Sequence, residues 1–308
     1  MSVERTQSTQ QPFESGKDPV SIVVPFPPGG IDLILRVMLP ELARGLGREV
    51  NLVNRPGGTG AVGSSEVARA KADGCTLLFA SQGPLVYQPQ VNPVDYDVQR
   101  SFAPVCRVTS TPSVLMVSGS SGLNSVSEVV AAARTSPGRL AYSSPGPGGL
   151  PHIGMAAFAR LVGVEMRHLP TAGAAAAIAA LKEGQADLLA EQLPTAIAHA
   201  GQGTRIIGVF ASSRLAALPD VPTLLEQGYD ISFQSWNALM APAGTPAAVV
   251  HQLSQACRAV LESIASELRA KMGMDPAYLG SEETAAFIAD ELERARLLAV
   301  RSGLAAPR

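Results

Sequence analysis

Short apolar runs alternate with longer amphipathic or alanine-rich segments along the chain, which is the pattern of an α/β fold. The apolar runs predict strands over residues 20–24, 50–53, 76–80, 103–108, 114–118, 140–142, 166–168, 188–190, 206–210 and 236–241. Helical periodicity predicts helices over 33–46, 62–71, 127–135, 151–161, 173–183, 195–200 and 221–226, then a helical tail over 247–272 and 282–302. Ser118, Gly119, Ser120, Ser121 and Gly122 are small, polar and unpatterned, and read as a linker between two α/β units. The second unit ends near residues 229–236, after which MAPAGTP leads into the long helices.

A chain of 308 residues exceeds one typical core, so two domains are expected. Hydrophobic residues make up 46% and charged residues 16%, enough apolar material for ordinary globular cores. The net charge of -2 leaves no basic field to attract nucleic acid or anionic lipid, so a small ligand is the expected partner. No apolar run reaches the roughly 18 residues a spanning helix needs. The first eighteen residues, MSVERTQSTQQPFESGKD, are polar and lack the apolar region of a secretory signal; they read as a disordered tail, a processed terminus or a cloning remnant. Cys75, Cys106 and Cys257 fit no metal-ligand spacing, and their apolar surroundings make them small buried hydrophobes; the disulfide state and redox compartment stay open.

Three turns carry the candidate chemistry. The first, VVPFPPGGID over residues 23–32, puts three prolines and two glycines between a strand and a helix. The others are SSPGPGG before the helix near Pro151 and PTAG before the helix starting near Ala174. Each places glycine just ahead of a helix, whose first N–H groups have no intrahelical partner. Those donors and the positive dipole end form an anion seat, glycine admits a ligand close to the main chain, and proline holds the turn in one shape. Such turns occur in any α/β protein, so one alone says little. A micromolar ligand needs about 8 kcal/mol, whereas a helix end supplies about 0.3–1 and a charge-assisted hydrogen bond roughly 1.5–3. Only two or three converging turns hold a carboxylate that tightly.

Competing motifs are weaker. GTGAVG (58–63) fits G-x-G-x-x-G, but the following strand ends FASQG without the acid a dinucleotide site wants. There is no P-loop, no nucleophile elbow and no zincin motif. His152, His168, His199 and His251 share no ligand spacing, so neither a metal nor a cofactor is expected. Asp32 stands four residues before Arg36, and an i,i+4 ion pair near the helix start is an adequate reason for it.

PFPPGG, then NRPGGTGAVGSSEVARAKADGCTLLFAS, then FAPV, resemble in order the Bug family, the extracytoplasmic solute receptors of tripartite tricarboxylate transporters. YSSPGPGGLPHIG, ALPDVPTLLEQGYD and SWNALMAPAGTP are similar to later signatures of that family, so the likeness covers nearly the whole chain from Pro19. The resemblance implies a type II periplasmic-binding-protein fold of two α/β lobes with a cleft between them. One lobe would comprise residues 19–116 plus 242–308 and the other 117–241, with crossover strands near 103–118 and 233–241. The family holds a carboxylate mainly through backbone groups and ordered water. On that pattern Phe26, Pro28, Gly29 and Gly30 form one wall, Ser81 and Gln82 lie beneath it, and Ser143, Ser144, Gly146, Gly148 and His152 face it.

Three departures from the family stand in this chain. Only Ile31 separates the glycine pair from Asp32, where two residues including a threonine are usual. Thr171, Ala172 and Gly173 follow Pro170 where the family reads PYKG, and Glu191-Gln192 replaces an Asp-Asn pair. These positions complete the candidate set and point to a less polar solute, an aromatic or dicarboxylic acid. The resemblance implies a non-enzymatic, monomeric, periplasmic receptor that hands its solute to membrane transporter subunits or a sensor. The readings from other classes are a nucleotide-using enzyme with GTGAVG as phosphate loop and the effector domain of a regulator; residues 1–20 are too short and polar for the helix-turn-helix the latter needs.

Overall fold

A computed structural model describes residues 18–28, 31–272 and 274–305. Its strands are β1 Val20–Val24, β2 Val50–Asn54, β3 Thr76–Ser81, β4 Phe102–Ser118, β5 Ala141–Ser144, β6 Arg167–Pro170, β7 Leu188–Gln192, β8 Thr204–Val209, β9 Gln234–Pro242 and β10 Pro276–Leu279. The helices are α1 Ile31–Leu46, α2 Ala61–Ala68, α3 Gln88–Val91, α4 Val98–Ser101, α5 Val126–Thr135, α6 Leu150–Leu161, α7 Ala174–Lys182, α8 Leu193–His199, α9 Ala247–Met272 and α10 Ser281–Ser302. The expected tail falls almost entirely outside the described residues.

In one lobe β1 pairs in parallel with β2 and β3, while β9 runs antiparallel to β3 and to β4. In the other, β5 is parallel to β6 and β7, and β4 runs antiparallel to β7 and β8. Strand β4 belongs to both: Phe102 to Pro112 pair with β9, and Ser113 to Ser118 pair with β7 and β8. The chain crosses out on β4 and returns on β9, which makes this the type II periplasmic-binding-protein fold of two α/β lobes on two crossing strands.

Ile34, Leu35, Met38, Leu42 and Leu46 repeat at helical spacing on α1 and bury against Leu253, Cys257, Val260 and Leu261 of α9 and against β1 and β3. A second cluster is shared between the lobes: Leu78, Leu85 and Met240 from one, Leu115, Val126 and Phe158 from the other, and Ile288, Ala295 and Leu298 from α10.

Beyond the unexpected short elements α3, α4 and β10, four features differ from the sequence reading. The strands expected over 103–108 and 114–118 are one 17-residue strand, because polar Thr109, Thr111 and Ser113 between them are buried in the sheet, Thr109 bonded to Asn237. Residues 118–122 are no linker: Gly119 N–H bonds to Gly203 O, closing the outer edge of the second lobe. The helix expected over 221–226 is a single capped turn, with Thr223 and Glu226 bonding each other's backbone N–H and Gly228 ending it at φ 84°. Cys75 is half-buried beside Arg48 rather than fully buried; Cys106 and Cys257 are buried, and all three are free thiols.

Candidate functional site

The registers decide which strand ends meet. Ser81 at the end of β3 is level with Asn237, which is level with Thr109 of β4; Gln192 at the end of β7 is level with Ser113 of β4. The ends of β3 and β7 are therefore separated by four residues of β4, about 13 Å at about 3.3 Å per residue. β1 and β2 run with β3, and β5 and β6 run with β7. All six C-terminal ends thus point at the crossover from opposite sides, and the turns that follow them converge there, where α/β folds place ligands. A groove of about 790 Å³ lined by Ala103, Pro104, His251, Tyr278 and Glu282 opens at the other end of β4, away from these turns.

On the first side, Gly29 and Gly30 lie outside the described residues. Phe26 is half-buried, Pro28 is exposed, and Ile31 packs on the α1 core. Asp32 is 1% exposed and its carboxylate accepts from Arg36 Nε at 2.8 Å and from Asn54 Nδ2 at 3.2 Å. The same Asn54 amide donates to Phe26 O at 2.9 Å, so Asp32 fastens the turn to β2. GTGAVG buttresses this turn: a Cβ on Gly60 would come within 3.0 Å of Pro84, and one on Gly63 within 2.8 Å of Arg55 O. Close packing accounts for both glycines without a phosphate. Gln82 is buried, its Oε1 accepting from Trp236 N at 3.0 Å and Ser235 Oγ at 3.3 Å, so it holds β9. Ser81 stays half-buried at the strand end.

On the second side, Ser143 Oγ turns away to donate to Ala177 O at 3.1 Å. Ser144 Oγ donates to Gly146 O at 2.9 Å and lies 2.7 Å from His168 Nε2, so the imidazole gives its Nε2 proton to Ser144. Gly148 N–H donates to His152 Nδ1 at 2.9 Å. The two imidazoles stack with centroids 3.9 Å apart, and Tyr142 lies over His168 at 5.0 Å. Burial and the neighbouring His152 push His168 down to about 4, and burial lowers His152, so both rings are neutral near pH 7. Thr171 N–H donates to Ser144 O at 2.9 Å, tying PTAG to SSPGPGG; Ala172 is exposed and Gly173 half-buried. Gly146 at φ 142° and Gly173 at φ 110° occupy backbone that side chains rarely adopt. Helices α6 and α7 start at Gly149 and Gly173, which bring no side-chain acceptor to their first N–H groups. Glu191 is buried and Gln192 exposed, side by side at the end of β7.

The strand registers thus bring the described candidates to one junction, while the fold commits the Asp32 carboxylate, Gln82 Oε1 and Ser143 Oγ internally. His168, Tyr142 and Asn237 were missed. The first two carry a signal in the strands themselves, since neighbouring β5 and β6 each place a ring at the same level. Among the described residues no group of three His, Cys, Asp or Glu side chains suits a metal, and no helix is long and apolar enough to cross a membrane.

A sequence model described as "Tripartite tricarboxylate transporter family receptor" matches residues 34–304. The UPF0065 protein in the tcbD-tcbE intergenic region of Pseudomonas sp. (strain P51) is 33% identical over 287 residues, covering 92% of this chain and 85% of that protein. The solved structure of R. palustris Rpa4515 with adipate has a TM-score of 0.80 and 29% identity, covering 94% of this chain and 99% of that one. MatC (Rpa3494) from Rhodopseudomonas palustris with bound malate has a TM-score of 0.76 and 27% identity, covering 91% and 98%.

Proposed function

The chain belongs to the tripartite tricarboxylate transporter family of receptors, and on that premise we propose that it captures a small organic carboxylate between its lobes and delivers it to a transporter in the membrane. As a receptor it releases its solute unchanged. The observation that carries the solute class is that the strand ends of the two lobes face each other across about 13 Å of β4, with the turns after β1, β5 and β6 emerging on the same two sides. Backbone N–H groups at the starts of α6 and α7 face the same junction, and the junction is built without lysine or arginine from those turns. Such donors bind carboxylate through hydrogen bonds rather than a salt bridge. Similarity to receptors with adipate and malate supports a dicarboxylate. The half-buried Phe26 and the stacked imidazoles of α6 and β6, with a PTAG turn that brings neither tyrosine nor lysine, support one with an apolar body, extending to aromatic acids.

In this reading the first and last segments of the chain build one lobe and the middle segment the other. The lobes close by flexing β4 between Thr109 and Ser113 and β9 near Gln234, burying the solute. The site of action is the periplasm, as for the family, and the receptor works as a monomer.

Thermal unfolding of the purified protein with a panel of aliphatic dicarboxylates, hydroxy acids and aromatic acids tests the proposal. A true solute at about 100 times Kd adds roughly 2.7 kcal/mol of stability. A panel without any stabilising member overturns it.

A further inference from the structure

Buried polar atoms are nearly always hydrogen-bonded, and exceptions call for a cause. Among the described residues two buried side-chain oxygens have no partner, Glu191 Oε2 and Asn237 Oδ1. Both sit at the crossover: Asn237 is level with Ser81, and Glu191 is the neighbour of Gln192 and level with Val114. Glu191 is 6% exposed. Its other oxygen, Oε1, accepts from Gln192 N at 2.7 Å, which holds the carboxyl beside the main chain at the end of β7. At that end stand Pro145 of SSPGPGG, two residues past the pairing of Ser143 with Leu189, and the starts of α7 and α8.

We propose that the Glu191 carboxyl is a solute-reading group of the second lobe: in its neutral form it gives its single proton to an oxygen of the bound acid, so the receptor takes acids that end in acceptors and rejects amino-bearing analogues. This rests on the carboxylate-binding reading above.

The surroundings supply no counter-charge. Strand alternation puts Glu191 on the side of Leu189, facing Ala177 and Ile178 of α7 and Ala196 of α8. The first turn of α7 is alanine, that of α8 is Leu193, Pro194 and Thr195, and β4 and β8 bring Val114 and Val209. The titratable groups on the facing helices, Lys182 and His199, lie together at their far ends, Nζ to Nδ1 at 3.2 Å. Arg205 is exposed at the outer end of β8, and Arg214 beyond that strand is paired with Glu226. An ionised carboxylate buried without a counter-charge costs several kcal/mol, which favours the protonated form; burial raises its pKa, opposed by the bond from Gln192 N–H. A neutral acid offers one donor, and a carboxylate, carbonyl or hydroxyl oxygen of the solute takes it. An ammonium group brings only donors and leaves that proton unmatched.

Calorimetric titration of the full chain with adipate, with glutamate and with aromatic monocarboxylates, from pH 5.5 to 9, tests this. For wild type the affinity for the acids that bind is flat at low pH and falls by up to about tenfold per pH unit once Glu191 ionises. E191Q, whose amide donates but does not titrate, flattens that profile. E191A weakens binding by about tenfold or more at pH 6. The infrared carbonyl band of a protonated carboxyl, present in wild type and absent in E191Q, supports the neutral form independently. Wild-type binding with E191A and E191Q indistinguishable from it at every pH overturns this inference and leaves the carboxylate reading intact. Preference for glutamate, lost in E191Q, overturns it in favour of an ionised Glu191 reading an ammonium. Silence of the wild type toward every panel acid removes the carboxylate reading and this inference together.

Discussion

The buried polar side chains at the crossover differ in whether the fold itself answers them. Glu291 is 5% exposed, yet Trp236 Nε1 donates to its Oε2 at 2.8 Å. Burial raises its pKa, opposed by the Trp236 bond and by the positive charges of Arg294 and Arg107. A carboxyl with a raised folded pKa contributes stability that is fully present below the unfolded value and is lost as pH rises through the folded one. The loss therefore begins near the ordinary glutamate range and is complete at a somewhat higher pH. E291Q keeps an acceptor for Trp236 and removes the charge. Its urea midpoint at pH 7.5 should match or exceed that of wild type, and its profile from pH 4.5 to 7.5 should be flatter. E291A strands the indole N–H and opens a hole, costing about 2–4 kcal/mol at both pH values. Equal pH slopes for E291Q and wild type would show that Glu291 does not titrate in that window.

At the scale of elements, α6 reaches the crossover through a glycine. A Cβ on Gly154 would come within 2.4 Å of the Phe233 ring, which stacks on Phe210 at 4.1 Å just ahead of β9. Alanine in a helix gains about 1 kcal/mol over glycine. A clash with a buried ring costs more, about 1–3 kcal/mol, so G154A should lower the denaturation midpoint; a neutral or stabilising result would mean that Phe233 moves freely. The glycine in PHIG was visible in the sequence, but its neighbour lies about eighty residues away and no local pattern connects the two. Legibility elsewhere follows the same division. Helices with an apolar stripe, α1, α9 and α10, and strands with continuous apolar runs, β1 and β3, were readable because one short window decides them. The four-residue β10 was not, since PAYL forms a strand only by pairing with β4 across more than 160 residues. The turns of the site were legible from glycine and proline alone. The bonds that occupy Asp32, Gln82 and Ser143 and leave Glu191 half-answered depend on Asn54, Trp236 and Ala177, which only the fold brings near.

Across the whole molecule, α10 keeps the two lobes from being independent. Its first turns lie on the first lobe, where Arg107 N donates to Thr284 Oγ1 at 2.9 Å and Glu291 holds Trp236. Its last turns lie on the second, where Arg301 Nη1 donates to Asp230 O at 2.8 Å and Leu298 joins the cluster containing Phe158. Closure on a solute must therefore slide or carry this helix, because the apolar cluster beneath it is continuous between the lobes. A continuous core also couples their unfolding, since neither lobe can open without exposing the other's share. Leu298 is 6% exposed, and its truncation to alanine should cost about 2–4 kcal/mol. Trp236 fluorescence reports the first lobe at the crossover, and far-ultraviolet circular dichroism reports both lobes. In wild type and L298A alike the two signals should trace one urea transition, shifted to lower denaturant in the variant. If L298A splits the transition, with circular dichroism changing before Trp236 fluorescence, the second lobe unfolds alone and α10 is a surface strap rather than a shared part of the core.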